Sequence, residues 1–355
     1  MKSKVRFKYR IIPMLIIILL LFGGCSRNKT FPVVEHENLT SSTIEEENKK
    51  RTEADGESHE VDEEINEPTS RYDEVFDPSE DDGNMVIWFL YTSTGTDTKS
   101  GDATIIKTPD GKVMLVDGSA PETAHMLKTY LDALGIEKID AIVATHPHID
   151  HVGGLPQIIY QYEIDKVYRS KMEYPTETNK NFLKAIEEKG VETVIVTDGM
   201  TFEFGEVKID VLNPVEEIVY PKTFPKSSTA FINNHSVVLK ISYRDSSVLL
   251  TGDIYVAGEL DLIERYGDTL QADIVKMPHH GDDTSSSVGF IKAVQPKVAV
   301  AMYDRLASLS IYNSYRKNGS KAYITAIDGN IKIVADGTKE YKVITEKDRE
   351  SNFLK

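Results

Sequence analysis

The chain holds 355 residues, with 41 basic against 57 acidic side chains and a net charge of −16 at neutral pH. That balance argues against a protein that binds nucleic acid non-specifically by neutralising its phosphates. The single cysteine, Cys25, excludes an intramolecular disulfide framework.

The first ten residues carry five basic side chains and no acid, Ile11 to Phe22 is apolar, and Gly23-Gly24-Cys25 follows. A basic start, a short apolar stretch and small residues before a cysteine read as a secretory signal over residues 1–24. The stretch is twelve residues long, is interrupted by Pro13, and falls short of the ~20 that a membrane span needs. The surroundings of Cys25 resemble a bacterial lipobox, with Phe22 where a smaller aliphatic residue is usual. Diacylation at Cys25 would supply the two lipid chains that stable anchoring requires. A retained amino-terminal anchor is the alternative, and both readings put the folded part outside the cytoplasm, on the membrane.

Residues 25–84 read as an acidic disordered linker. Positions 26–83 contain 19 acidic and 6 basic residues and few aromatics, so they bury too little apolar surface to offset chain entropy. As a flexible tether the segment would span roughly 45 Å.

Residues 85–355 form the expected folded domain, with a net charge of −8 and enough length for one large core. Met85 to Tyr91 reads as a first strand. Ala103 to Lys107 and Lys112 to Val116 flank the turn signal Pro109-Asp110-Gly111 and form a hairpin. Glu122 to Leu134 has helical apolar spacing and stops at Gly135. Ile139 to Ala144 is an apolar run suited to a buried strand. Helices are expected at Val152 to Tyr160 and Asn179 to Lys189, and strands at Val191 to Thr197, Phe202 to Phe204 and Val207 to Leu212. A hairpin is expected at Ser236 to Tyr243 and Ser246 to Thr251, then a helix at Ala257 to Tyr266. Asp273 to Met277 and Lys297 to Met302 read as buried strands with a helix between them. Tyr323 to Ala326 and Ile331 to Ala335 are expected to close the domain as a β pair.

The chemistry concentrates in Thr145-His146-Pro147-His148-Ile149-Asp150-His151-Val152-Gly153-Gly154. Four metal-capable side chains fall within six positions on the loop that leaves a predicted strand, where open α/β folds place their sites. Imidazole and carboxylate together suit zinc, manganese or iron.

This H-x-H-x-D-H run resembles the signature of the metallo-β-lactamase superfamily. Other segments match in order: Ile105 to Gly118 resembles the opening hairpin that ends in an aspartate, Asp117. Leu249 to Asp253 resembles the strand whose final aspartate bridges two metals, and Lys276 to Gly281 the late histidine motif. Ser100-Gly101-Asp102-Ala103, Asn233 to Leu239 and Pro278-His279-His280-Gly281 most resemble the soluble domain of ComEC competence proteins and, more loosely, bacterial phosphorylcholine esterases. The resemblance covers residues 85–345 and implies an α/β fold, the αββα sandwich of that superfamily.

It also implies a dinuclear centre of two divalent ions, zinc or manganese. His146, His148 and Asp253 would hold one; Asp150, His151, Asp253 and a late histidine would hold the other. A water activated between them would be the nucleophile. His280, directly before glycine, is the favoured late ligand, leaving His279 as a hydrogen-bond donor or general acid toward substrate. Asp117 is expected to orient a ligand histidine, with a plain turn residue as the alternative. Aligning Ser236 with the G-H-x-x-G-H motif of many superfamily hydrolases puts Asn234 at a ligand position. His235 would then point to the other side of a strand, as a substrate-facing or ligand-orienting group. After Met302 the Asn and His-Pro usual in ComEC-like domains are absent; Tyr303, Arg305, Tyr312, Tyr315 and Arg316 stand there instead. They read as a surface loop and helix or, more sharply, as groups that stack a base or hold a phosphate.

The expected function is a metal-dependent hydrolase of phosphodiesters, with DNA as the family-level substrate. The alternatives are an esterase for phosphorylcholine- or teichoic-type diesters, and a non-catalytic binding or DNA-uptake accessory protein.

Overall fold

The computed structural model describes residues 70–94, 100–226 and 228–348. Chain packing divides the molecule at residue 64, and all described residues belong to the unit that begins at Ile65. The expected signal, Cys25 and most of the expected linker lie outside the described residues.

Two sheets face each other. The first has eight strands: β1 (Met85–Phe89), β2 (Thr104–Lys107), β3 (Val113–Val116), β4 (Lys138–Ala144), β5 (Glu163–Arg169), β6 (Glu192–Ile195), β14 (Ile331–Ala335) and β15 (Tyr341–Thr345). Their order is β15-β14-β1-β2-β3-β4-β5-β6. The second has seven: β7 (Thr201–Phe204), β8 (Val207–Asn213), β9 (Val238–Tyr243), β10 (Ser246–Leu250), β11 (Ile274–Lys276), β12 (Val298–Ala301) and β13 (Lys321–Ile324). Their order is β13-β12-β11-β10-β9-β8-β7.

Three apolar layers hold this together. Ile87, Phe89, Met114 and Val143 from the first sheet meet Ile209, Ile241, Val248 and Val300 from the second. The outer face of the first sheet is covered by the helices Ala124–Ala133, Leu155–Gln161 and Glu177–Lys189, through Leu127, Ile158 and Phe182. The outer face of the second is covered by Val256–Tyr266, Val288–Val294 and Leu309–Lys317, through Leu262, Phe290 and Tyr315. Each fully buried aliphatic or aromatic side chain contributes about 1.5–3 kcal/mol relative to exposure. The result is the αββα sandwich, as the sequence reading expected.

Three expectations change. Tyr323 to Ala326 and Ile331 to Ala335 are not a pair: β13 runs parallel to β12 in the second sheet, whereas β14 lies between β1 and β15 in the first. A helical turn, Thr325–Asp328, carries the chain from one sheet to the other. Second, β5 and β15 were not expected; both expose part of their length, so their apolar signal is diluted. Third, the folded unit starts before residue 85. Val75 and Phe76 are buried against the first sheet's helical layer, and Phe76 stacks on Tyr130 at 5.2 Å. Trp88 Nε1 donates to Val75 O at 2.8 Å, and Asp81 pairs with the buried Lys332 at 2.9 Å. A few apolar residues in an acidic stretch therefore suffice to dock its end. Among the described residues, no helix is long and apolar enough to cross a membrane.

Candidate metal centre

Both sheets deliver polar side chains to one edge of the sandwich. Asp117 follows β3 and Thr145-His146 follow β4. From the second sheet, Asp253 follows β10 and His280 follows β11. The two edges are tied together where Val237 N donates to Thr145 O at 2.8 Å. Asp102, just ahead of β2, reaches the same place.

His146, His151, Asp253 and His280 are all buried, while His148 and Asp150 are partly open to solvent. Asp253 Oδ2 is the meeting point. It lies 3.1 Å from His151 Nε2, 3.2 Å from His280 Nε2 and 3.8 Å from His146 Nε2. His146 Nε2 is 3.0 Å from His148 Nδ1, and His280 Nε2 is 3.5 Å from Asp150 Oδ2. A tetrahedral ion with bonds of ~2.1 Å needs donors about 3.4 Å apart, so these side chains fit a divalent cation.

The histidines are aimed by what holds their other nitrogens. His151 Nδ1 lies 2.8 Å from Asp117 Oδ2, and Asp117 also accepts from Thr145 N at 2.8 Å and Thr145 Oγ1 at 2.7 Å. His280 Nδ1 lies 3.0 Å from Asp102 Oδ1 and 2.9 Å from Met302 O. With both Nδ1 atoms occupied as donors, both Nε2 atoms face Asp253 and are the ones a cation would take once their protons leave. Asp102 therefore belongs to the same cluster as His151, Asp253 and His280, with one donor atom from each within 4.8 Å of the others.

Backbone strain helps build the site. Asp117, His279 and His280 adopt φ of 61°, 46° and 57°, conformations that cost non-glycine residues of order 1–3 kcal/mol each. Two glycines permit close approach: a Cβ on Gly101 would sit 1.9 Å from Asp150 O, and one on Gly252 2.6 Å from Ser236 Cβ. Through the first contact, Asp102 N donates to Asp150 O at 3.0 Å and fixes the histidine loop.

The electrostatics follow from burial and pairing. Burial opposes the charged forms of His151 and His280, but Asp253 with Asp117 or Asp102 outweighs it and holds both well above the ordinary histidine range. Burial pushes His146 and His148 down instead, with neighbouring imidazoles adding to the effect. Burial disfavours the Asp150 carboxylate, yet His280 and His151 keep it below the usual range.

The remaining expected residues fall elsewhere. His279 lies on the open side, 2.6 Å from Thr284 Oγ1 through Nδ1 and beside the Tyr255 ring at 4.7 Å. Asn234 and His235 follow the helical turn Thr229–Asn233 rather than sitting on a strand, so the alternation argument does not apply. Asn234 Oδ1 is committed to the start of the helix Val256–Tyr266, accepting from Tyr255 N at 2.9 Å and Gly258 N at 3.2 Å. It is a cap, which corrects its expected ligand position. His235 Nδ1 is 2.7 Å from Phe231 O, and its ring packs on Phe231 at 4.3 Å. An aromatic row runs from there through Phe224 to Tyr174, whose ring meets His148 edge-on at 5.8 Å. Tyr303 stacks on His280 at 4.9 Å with Arg305 over its ring, whereas Tyr312 and Tyr315 are buried in the core.

Sequence reasoning assigned no role to Asp102 or Lys276. Both stand inside quoted motifs, but their significance is the ion pair between them, at 2.5 Å, which links strands far apart in the chain.

The Metallo-beta-lactamase superfamily model matches residues 96–303. ComE operon protein 3 of Bacillus subtilis (strain 168) is 28% identical over 175 residues, 49% of this chain and 21% of that protein. Competence protein ComA of Neisseria gonorrhoeae is 25% identical over 238 residues, 66% of this chain and 30% of that protein. The chain thus spans between about a fifth and a third of the length of these curated relatives. Among solved structures, the metallo-beta-lactamase fold protein YhfI from Bacillus subtilis aligns with a TM-score of 0.44 at 12% identity, over 68% of this chain and 96% of that one. With the family match covering more than half its length, the chain belongs to the metallo-beta-lactamase superfamily.

Proposed function

We propose that this chain is an extracytoplasmic, lipid-anchored, metal-dependent phosphodiesterase, with DNA as its first candidate substrate. The observation that carries the reading is the convergence of His146, His151 and His280 on Asp253, with His148 against His146 and Asp150 against His280. His146, His148 and Asp253 would hold one divalent ion, and Asp150, His151, Asp253 and His280 a second. When bound, such a pair supplies Lewis acidity that lowers the pKa of water and clamps the attacking and leaving oxygens of a phosphodiester.

The chain's own groups do the rest. Asp117 and Asp102 keep protons on the Nδ1 atoms of His151 and His280. The Thr284 hydroxyl donates to Asp282 Oδ1 at 3.0 Å, so its oxygen accepts from His279 Nδ1 and leaves His279 Nε2 as an acceptor. Burial keeps that imidazole neutral, below its ordinary range. His279 therefore suits accepting a hydrogen bond or a proton, in place of the donor or general-acid role expected from the sequence. The relatives named for competence favour DNA, and Cys25 after the apolar stretch favours the lipid anchor.

A second reading is hydrolysis of phosphorylcholine- or teichoic-type diesters. The aromatic row at His148 favours it, because ring faces attract a quaternary ammonium. The test is cleavage of end-labelled single- and double-stranded DNA, and of a choline phosphodiester, by the purified chain loaded with manganese or zinc. DNA cleavage that disappears in Asp150→Ala is the expected result. A metal-loaded protein that cleaves only the choline ester would move the assignment to the second reading. A protein that takes up no stoichiometric metal would leave a non-catalytic binding role.

A further inference from the structure

Lys276 is a fully enclosed cation that the proposed chemistry does not use. It ends β11, is 3% exposed, and points its Nζ at four oxygens. These are Asp102 Oδ2 at 2.5 Å, Gly252 O at 2.8 Å, and Asp253 Oδ1 and Met277 O at 3.4 Å each. Burial opposes the charge, but Asp102 and Asp253 outweigh it and hold the ammonium protonated.

What matters is which oxygens are left over. Asp253 has Oδ1 on the lysine and Oδ2 among the histidines. Asp102 has Oδ2 on the lysine and Oδ1 on His280 Nδ1. One ammonium takes one oxygen from each of two buried carboxylates and thereby fixes the direction of the other. A carboxylate released from such a contact can offer both oxygens to a single cation, and a released Asp102 would be a competing ligand.

We propose that Lys276 is a positioning residue that restricts Asp253 to a single-oxygen contact with the metal pair and keeps Asp102 out of the ligand set, as the acceptor for His280. This rests on the two-ion reading above. A lysine that only balanced charge would behave in the opposite way: removing a positive charge from a cation site tightens cation binding.

The experiment is titration of the full-length chain and of Lys276→Met with Mn(II), followed by calorimetry and by low-temperature electron paramagnetic resonance. The wild type should take up two equivalents and show an exchange-coupled spectrum. Lys276→Met should keep the first equivalent, bind the second about 10–100-fold more weakly, and lose or alter the coupling. Two equivalents bound at wild-type or greater strength with unchanged coupling would overturn the inference while leaving the two-ion reading intact. A wild type that binds one equivalent overturns both. Should Lys276→Met fail to fold, the double variant with Asp102→Asn removes both charges of the buried pair, a change proteins tolerate better than loss of one partner. The amide introduced in place of the Asp102 carboxylate can still accept from His280 and no longer competes for the cation, so the double variant isolates the release of Asp253 and should still show a weakened second equivalent with altered coupling. A retained coupled spectrum there also overturns the inference.

Discussion

Replacing Asp117 with Asn tests whether the centre is built from its outer carboxylates inward. Asp117 accepts from Thr145 N at 2.8 Å, Thr145 Oγ1 at 2.7 Å and His151 Nδ1 at 2.8 Å. An amide keeps one acceptor for Thr145 N but presents an NH₂ group to His151. To avoid a donor–donor clash, His151 must move its proton to Nε2, the atom that faces Asp253. That tautomer cannot give its lone pair to a cation. Loss of such an orienting partner typically reduces metal affinity about 10–100-fold, equivalent to ~1.4–2.7 kcal/mol. The assay is calorimetric titration of Asp117→Asn with zinc at neutral pH, beside a thermal melt of the metal-free protein. Wild-type affinity accompanied by a lowered melting temperature would refute the reasoning and leave Asp117 as a turn residue ahead of Gly118.

Three further outcomes are expected. Because His151 and His280 sit well above the ordinary histidine range without metal, metal binding at neutral pH should release protons, and affinity should fall as pH falls. Calorimetry in buffers of different ionisation enthalpy reads this directly, and no release at pH 7 would contradict it. The same shifts set the metal-free stability: the histidine contribution is complete below the unfolded pKa of about 6.5 and is lost as pH rises through the raised folded values. Asp253 is held low, burial notwithstanding, by His151 and His280; its contribution is present above the unfolded carboxylate range and is lost in acid. Phe76→Ala should cost about 3–5 kcal/mol, because Phe76 is 4% exposed and stacked on Tyr130. Urea denaturation showing less than about 0.5 kcal/mol, the range of an ordinary surface change, would mean that the segment before β1 is not part of the folded unit.

The sequence by itself determined whatever is local. The apolar run ending at Ala144 makes a buried strand, and Thr145 to His151 therefore leave its carboxyl end together, because neighbouring residues in a short loop cannot be far apart. The hairpin at Pro109-Asp110-Gly111 and the helices stopped by Gly135 and Gly190 are equally local, since turn chemistry and apolar period are properties of neighbouring residues. Tertiary structure decided whatever depends on partners distant in the chain. Nothing near Asn234 in sequence shows that its amide caps a helix beginning at Val256. Tyr323 and Ile331 lie a few residues apart yet enter different sheets, because β-strands choose partners by burial across the whole sandwich. The ion pair of Asp102 with Lys276 joins β2's approach to β11's end. Its geometry exists only once both sheets have closed on each other, since a buried charge is tolerable only where the fold brings its counter-charge.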